Sequence, residues 1–312
     1  MSGPVFIKTG VTDMGKARQQ TGLASELALL LVLATLWGAS FTFIKVGVET
    51  IPPVTLIAGR TSVAAIVLLA VMRYRGIKLP TDLALWRRFL FQACLNSVFP
   101  FTLIAWAEQT VDAGLATILN SSAPIFTFIL TWRLAGRQAA TRRKLFGVVS
   151  GMIGICLIVG VGALSGFRHE LVAELAIVAA TVCYAGAAIF GRNFERLDPM
   201  LPASGSMLCG AIVLVPMSLV VDQPWTLAPS IRSLLALICL SVFSTALAFT
   251  IYFRLIRTLG PVGTTSQAYL RVPIGVGIGV AFLGESLAPT TWFGLVCVIA
   301  GVAAMTIPER AP

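Results

Sequence analysis

The chain has 312 residues, of which 57% are hydrophobic and only 12% charged, and its mean hydropathy is +0.91. Soluble domains carry about a quarter charged residues, so this composition excludes an ordinary water-soluble globular protein. The net charge of +10 could indicate a nucleic-acid partner, but the basic residues form short clusters between apolar runs instead of one basic face. We therefore expect a lipid bilayer as the partner, and no nucleic acid.

Apolar runs long enough to cross a bilayer recur along nearly the whole chain. A hydrocarbon core of about 30 Å requires about 20 helical residues, and turn residues and charges separate the runs. The fold class is therefore an all-α membrane protein with ten transmembrane helices. The predicted helices lie at 26–47, 53–72, 88–107, 112–132, 145–163, 171–190, 200–221, 233–253, 261–283 and 289–307.

The basic residues are distributed unequally between the two sides of the predicted membrane. About eighteen of the 23 Lys and Arg residues lie in the termini and loops of one side, and the opposite loops hold only Arg168 and Arg232. Basic residues are retained on the cytoplasmic side. The pattern predicts a multi-pass protein of the bacterial inner membrane with both termini in the cytoplasm.

The chain repeats itself at an offset of roughly 147 residues. Trp37 recurs as Tyr184, and Pro124 recurs as Pro273. Since each unit holds an odd number of helices, the second unit enters the membrane from the opposite side, which is the inverted arrangement of many secondary transporters. The predicted units are a cytoplasmic segment, 1–25, and two five-helix repeats, 26–163 and 171–307.

Short motifs occur in both repeats. They are Trp37-Gly38-Ala39-Ser40-Phe41 with Lys45, then Pro53, Arg60, Pro124, Pro273, Gly284-Glu285 and Gly294. In order and spacing they resemble the motifs of the drug/metabolite transporter superfamily, and within it the ten-helix EamA family. The resemblance covers nearly the whole chain and implies a bundle of two inverted repeats, with a central cavity lined by helices 1, 3, 4, 6, 8 and 9 and transport of small organic solutes. We expect no cofactor.

Arg271 lies near the middle of the ninth predicted helix, where an arginine costs roughly 2.5–3.5 kcal/mol to insert. Such a residue is expected to face a cavity or a partner. In one interpretation its guanidinium binds a substrate carboxylate or phosphate. In the other it satisfies backbone carbonyls freed near Pro273, because proline cannot donate to the helical ladder.

Other polar and aromatic side chains cluster near the predicted midplane. Individually, such side chains in membrane helices more often form hydrogen bonds between helices than contact a substrate. As a cluster they predict a pocket. The candidate substrate-binding residues are Trp37, Ser40, Asn96, Asn120, Ser121, Tyr184, Ser244, Gln267, Tyr269 and Arg271. The candidate gating or packing residues are Lys45, Arg60, Pro124 and Pro273.

The favoured function is secondary transport of a small organic metabolite by alternating access, with an amino acid or organic acid as substrate of an exporter or exchanger. The alternatives are a membrane-embedded enzyme and a receptor without transport. An enzyme is disfavoured because the chain has one histidine, His169, and no catalytic or metal-binding motif. The sequence identifies neither the substrate nor the coupling ion. It allows several oligomeric states, and a monomer is one of them. Five glutamates lie at predicted helix ends, where solvated or interfacial roles are expected: Glu26, Glu49, Glu108, Glu174 and Glu285.

Overall fold

The computed structural model describes residues 10–135, 146–147, 149–151, 153–154, 157, 168–265, 267–286 and 289–306. All regular secondary structure in these ranges is helical. The first five helices are α1 Gly10–Gly47, α2 Pro53–Tyr74, α3 Leu83–Ala107, α4 Ala113–Asn120 and α5 Ala123–Ala135. The others are α6 Arg168–Gly191, α7 Met200–Val221, α8 Ile231–Thr265, α9 Gln267–Leu283 and α10 Pro289–Thr306.

Seven spans of the described chain are long and apolar enough to cross a membrane, and two shorter apolar helices lie at Leu270–Leu283 and Trp292–Gly301. The predicted all-α membrane fold is confirmed. Most of the predicted fifth helix, 145–163, lies outside the described residues. The predicted fourth helix is a single apolar span, Ala113–Arg133, that is broken into α4 and α5.

Several helix ends follow from local sequence. Pro53 opens α2, where its missing N–H breaks no helical hydrogen bond. Asp82 and Ser230 accept backbone N–H groups at the starts of α3 and α8. Gly284 caps the end of α9, and its φ of 67° suits a residue without a Cβ. Capping by Asp82 starts α3 earlier than the prediction based on hydropathy alone.

Two other helices also begin earlier than predicted. α1 begins at Gly10, so the helix continues through much of the polar N-terminal segment. α6 begins at Arg168, which places the backbone of His169 in a helix instead of the expected loop. Hydropathy locates only the part of a helix within the hydrocarbon, and a helix can extend beyond it into water.

The two repeats share local irregularities. α3 contains a π-helical segment at Cys94–Val98, and α8 contains one at the corresponding position, Val242–Leu247. Corresponding residues also meet between the repeats, because the Ser150 hydroxyl donates to the carbonyl of Cys297 at 3.0 Å. π-Helical segments occur frequently at functional sites.

One end of the bundle carries the loops 48–52, 108–112, 222–230 and 284–286, and we call it the capped end. Cross-helix hydrogen bonds join these loops to neighbouring helices. The Asp222 carboxylate accepts from the N–H and the hydroxyl of Thr55 at 2.7 and 2.8 Å. The Glu285 carboxylate accepts from the N–H groups of Ala113 and Gly114, both at 2.8 Å. Each carboxylate thus stabilises the start of a helix from the other repeat.

Candidate substrate cavity

A cavity lies between the two repeats, with a volume of about 90 Å³ for the centres of water-sized molecules. That is room for about six waters or for a small organic group. The cavity is lined by the six helices that the family resemblance implies, the fourth of which corresponds to α4 and α5 together. Arg60 of α2 also lines it. The lining residues are Trp37, Ser40, Phe41, Ile44, Arg60, Asn96, Phe101, Ile104, Asn120, Ala123, Thr127, Tyr184, Ala188, Phe249, Tyr252, Gln267 and Arg271.

Aromatic rings dominate the apolar surface of the cavity. The Trp37 ring centroid lies 5.7 Å from that of Phe249 and 5.3 Å from that of Tyr252. Phe101 links the repeats, because its ring lies 6.4 Å from Tyr184 and 6.3 Å from Phe249. Aromatic ring pairs contribute about 0.5–1.5 kcal/mol each beyond the area that they bury, so these edge-to-face and tilted pairs stabilise an apolar wall of the cavity.

The break between α4 and α5 explains where Arg271 binds. Pro124 has no N–H, so it cannot donate to the carbonyl of Asn120 four residues earlier. The Arg271 guanidinium donates to this carbonyl at 3.1 Å and to the Asn120 side-chain oxygen at 2.9 Å. A broken membrane helix with exposed backbone carbonyls is a common construction at transporter binding sites. The arginine therefore compensates for the proline in the opposite repeat, Pro124, instead of for Pro273 in its own helix.

Arg60 forms a second cationic group in the cavity. Its Nε donates to the Thr245 hydroxyl at 2.7 Å, and its guanidinium carbon lies 3.6 Å from the centroid of the Phe101 ring. Thr245 lies in the π-helical part of α8, and its hydroxyl in turn donates to the carbonyl of Leu240, just before that segment. The irregular helix thus orients the hydroxyl that holds Arg60.

The cavity is positively charged. Arg60 and Arg271 are 3% and 7% exposed, and the lining residues in the described part of the chain include no carboxylate. Four buried polar atoms of the lining residues make no hydrogen bond with the described residues: Nε of Arg271, Nδ2 of Asn96, Nδ2 of Asn120 and Oε1 of Gln267. Buried donors are costly when unpaired, so an anionic group that accepts from Arg271 and Asn120 would bind favourably here.

Seven of the ten predicted substrate-binding residues line this cavity: Trp37, Ser40, Asn96, Asn120, Tyr184, Gln267 and Arg271. Ser121 is buried next to it and donates to the carbonyl of Ile118. Ser244 is buried in the π-helical segment of α8, where its hydroxyl makes no hydrogen bond with the described residues. The side chain of Tyr269 lies outside the described residues.

The four predicted gating or packing residues have different positions. The Lys45 ammonium donates to the Val111 carbonyl at 2.8 Å, a bond at the capped end. Arg60 lines the cavity, Pro124 follows the break between α4 and α5, and Pro273 lies inside α9. Arg60 thus stands among the candidate ligand-binding residues, although its position in the sequence favoured packing.

Sequence reasoning missed the apolar part of the cavity, namely Phe41, Phe101 and Phe249. Phenylalanines are common throughout membrane helices, so no local signal distinguishes those that face a cavity. Of the solvated and interfacial roles expected for the glutamates at helix ends, the solvated role is wrong for Glu108 and Glu174. The structure buries them to 0% and 5% exposure because neighbouring helices cover the helix ends.

No group of three metal-binding side chains occurs in the part of the chain that the structure describes. Two similar proteins are named as a membrane transporter and a probable exporter. The chain is 29% identical over 280 residues to the uncharacterized inner membrane transporter YedA of Escherichia coli strain K12, covering 89% of both proteins. It is 24% identical over 277 residues to a probable terminal-alkyne amino-acid exporter of Streptantibioticus cattleyicolor, covering 88% of this chain and 91% of the relative.

A solved crystal structure has the same fold, with a TM-score of 0.64 at 16% sequence identity, and the match covers 91% of this chain and 98% of the other. The EamA-like transporter family matches residues 24–160 and 171–307, which correspond to the two repeats. The resemblance of the motifs, the two-repeat architecture and the family match agree. The chain belongs to the EamA-like transporter family.

Proposed function

We propose that this transporter carries a small organic anion or zwitterion by alternating access, with the carboxylate of the solute bound by Arg271. The observation that carries the proposal is the Nε of Arg271, a buried donor without a partner among the described residues, in a cavity between two repeats. Guanidinium groups bind carboxylates with two parallel hydrogen bonds, which favours this solute class over neutral or cationic ones.

The aromatic residues favour a solute with an apolar part. A carboxylate at Arg271 and Asn120 would leave the remainder of the solute against Trp37 and Phe249. Amino acids and organic acids combine these two features. The relative named as an exporter of a terminal-alkyne amino acid has a substrate of this class, which supports export or exchange of such a compound here.

Alternating access requires each end of the bundle to open in turn. The hydrogen bonds of the capped end would have to break when the solute passes there, including those from Thr55 to Asp222 and from Lys45 to Val111. The distribution of basic residues supports an orientation in which this end faces the periplasm. The capped end would then be the periplasmic gate.

The test is thermal unfolding of the purified protein against a panel of amino acids, organic acids, sugars, nucleosides and cationic drugs. A ligand at 100 times its Kd adds about 2.7 kcal/mol to the free energy of unfolding, which a melting experiment detects. Every stabilising compound is measured again on Arg271→Gln. Arg192→Gln is the matched control, because Arg192 is exposed outside the cavity and pairs with Glu195.

We expect carboxylate-bearing compounds to stabilise the parent protein and Arg192→Gln, and to lose this effect with Arg271→Gln. Equal stabilisation of all three proteins by neutral or cationic compounds would contradict the assignment of Arg271 as the anion anchor.

A further inference from the structure

Glu108 is a buried carboxyl group that the transport cavity does not use. It follows α3 at the capped end and is 0% exposed. Neither of its oxygens makes a hydrogen bond of regular geometry with the residues that the structure describes. A carboxylate that is removed from water without donors is strongly disfavoured, whereas the neutral acid is tolerated.

The neighbouring charges do not compensate for this burial. Among the described residues, the titratable groups that act on Glu108 are Lys45 on α1, Arg60 on α2 and Glu285 after α9, and Glu108 in turn acts on Tyr184 of α6. The Lys45 ammonium donates to the Val111 carbonyl, and the Glu285 carboxylate is already held by two backbone N–H groups. Arg60 is bonded to Thr245.

Burial therefore raises the pKa of the Glu108 carboxyl well above its ordinary value; Lys45 and Arg60 oppose this effect, and Glu285 adds to it. Closure of the capped end therefore favours the protonated form of Glu108, and protonation of Glu108 favours closure. If the capped end opened, water would reach the carboxyl and its pKa would return toward the ordinary value of about 4.3.

We propose that Glu108 is a proton-binding site that couples opening of the capped end to release of a proton. On opening, the O–H bond of the acid breaks, the carboxylate keeps the electron pair, and the proton passes to water. On closing, the carboxylate takes a proton back. Solute passing through the capped end would thus be linked to proton movement. Protonation of Glu108 at the gate can be measured without a substrate. The proton-binding role can therefore fail independently of the proposed solute class.

The sign of the pH dependence follows from linkage. The carboxyl binds a proton more tightly when capped than when open, so acid favours the capped state. As the pH rises above the ordinary glutamate pKa, the opening constant increases by up to about tenfold per pH unit. The increase ends at the raised pKa of the capped state.

The first measurement is the infrared C=O stretch of protonated carboxylic acids in the purified protein. At about pH 7, we expect the difference spectrum between the parent protein and Glu108→Gln to show such a band, because subtraction cancels every other carboxyl group, including the buried Glu174. Glu49→Gln is the control, since Glu49 is exposed and pairs with Arg232. The parent alone is also decisive: without a protonated carboxyl at this pH, the proposal is wrong.

The second measurement is amide hydrogen exchange of peptides that cover 45–56 and 108–116, corrected for the intrinsic exchange rate, between about pH 5 and about pH 8. In the parent and in Glu49→Gln, exchange should increase with pH by more than about tenfold. Glu108→Gln mimics the neutral acid and should stay protected throughout. The same pH dependence in Glu108→Gln as in the parent would overturn the proposal.

Discussion

Arg271 of the second repeat donates two hydrogen bonds to Asn120 of the first, one to its backbone carbonyl and one to its side-chain oxygen. The carbonyl is available because Pro124 cannot donate to it. One contact therefore connects the repeats, compensates a break in a membrane helix and leaves Nε of the arginine for a ligand.

Arg271→Lys keeps the positive charge and removes the planar fork of donors. A lysine can bind a carboxylate only as a point charge, so we expect the affinity for carboxylate ligands to fall by about tenfold or more. Ligand titration followed by thermal unfolding or calorimetry measures this change. An unchanged affinity would show that charge alone is needed at this position.

Asn120→Ala removes the side-chain oxygen that accepts from Arg271 and retains the backbone carbonyl. Hydrogen bonds of a charged group contribute about 1.5–3 kcal/mol, and those between membrane helices are often weaker, so we expect a loss of about 1–2 kcal/mol in the free energy of unfolding. The control is Asn193→Ala, because Asn193 is an exposed residue that bonds only within its own turn among the described contacts. Equal effects of the two substitutions would contradict the role of Asn120.

Gly301→Ala tests how closely α10 packs on Gly147 and Gly151 of the first repeat. A Cβ at Gly301 would lie 2.5 Å from the Gly147 carbonyl oxygen and 2.7 Å from the Gly151 nitrogen, and neither backbone can move aside alone. We expect a loss of about 1–3 kcal/mol in unfolding free energy. Gly277→Ala is the matched control, since its Cβ would meet nothing within 4 Å and alanine favours a helix. Thermal unfolding should rank the two variants clearly.

Glu285→Ala removes the carboxylate that accepts from the N–H groups of Ala113 and Gly114. We expect about 1–2 kcal/mol of destabilisation, because the start of α4 loses two charge-assisted bonds and a favourable interaction with the helix dipole. Hydrogen exchange at residues 113–116 should increase. Glu195→Ala, which removes an exposed carboxylate, should leave that exchange unchanged.

The membrane spans and the internal repeat could be predicted from the sequence because both depend on patterns along the chain. Hydropathy measures how favourably a segment transfers from water into lipid. The correspondence of Pro124 with Pro273 indicates that the two halves of the chain repeat one five-helix unit. Arg271 could also be identified in advance, since an arginine within an apolar run requires a partner. Its actual partner, Asn120, could not be, because the choice depends on how two distant helices pack.

Burial at the helix ends could not be predicted for a similar reason. Glu108 lies where the hydrophobic run stops, and a glutamate at such a position is normally in water. The structure covers it with segments that are far away in sequence. Phe101 and Phe249 are comparable cases, because an apolar side chain gives no indication whether it faces lipid, another helix or a cavity.

The most direct test of the account is flux. The carboxylate compound that stabilises the protein most is loaded into proteoliposomes, and exchange of labelled compound is followed for the parent protein, Arg271→Gln and liposomes without protein. We predict saturable exchange by the parent, none above background for Arg271→Gln, and acceleration by unlabelled compound on the opposite side. Binding without any flux in the parent protein would contradict transport and favour a receptor.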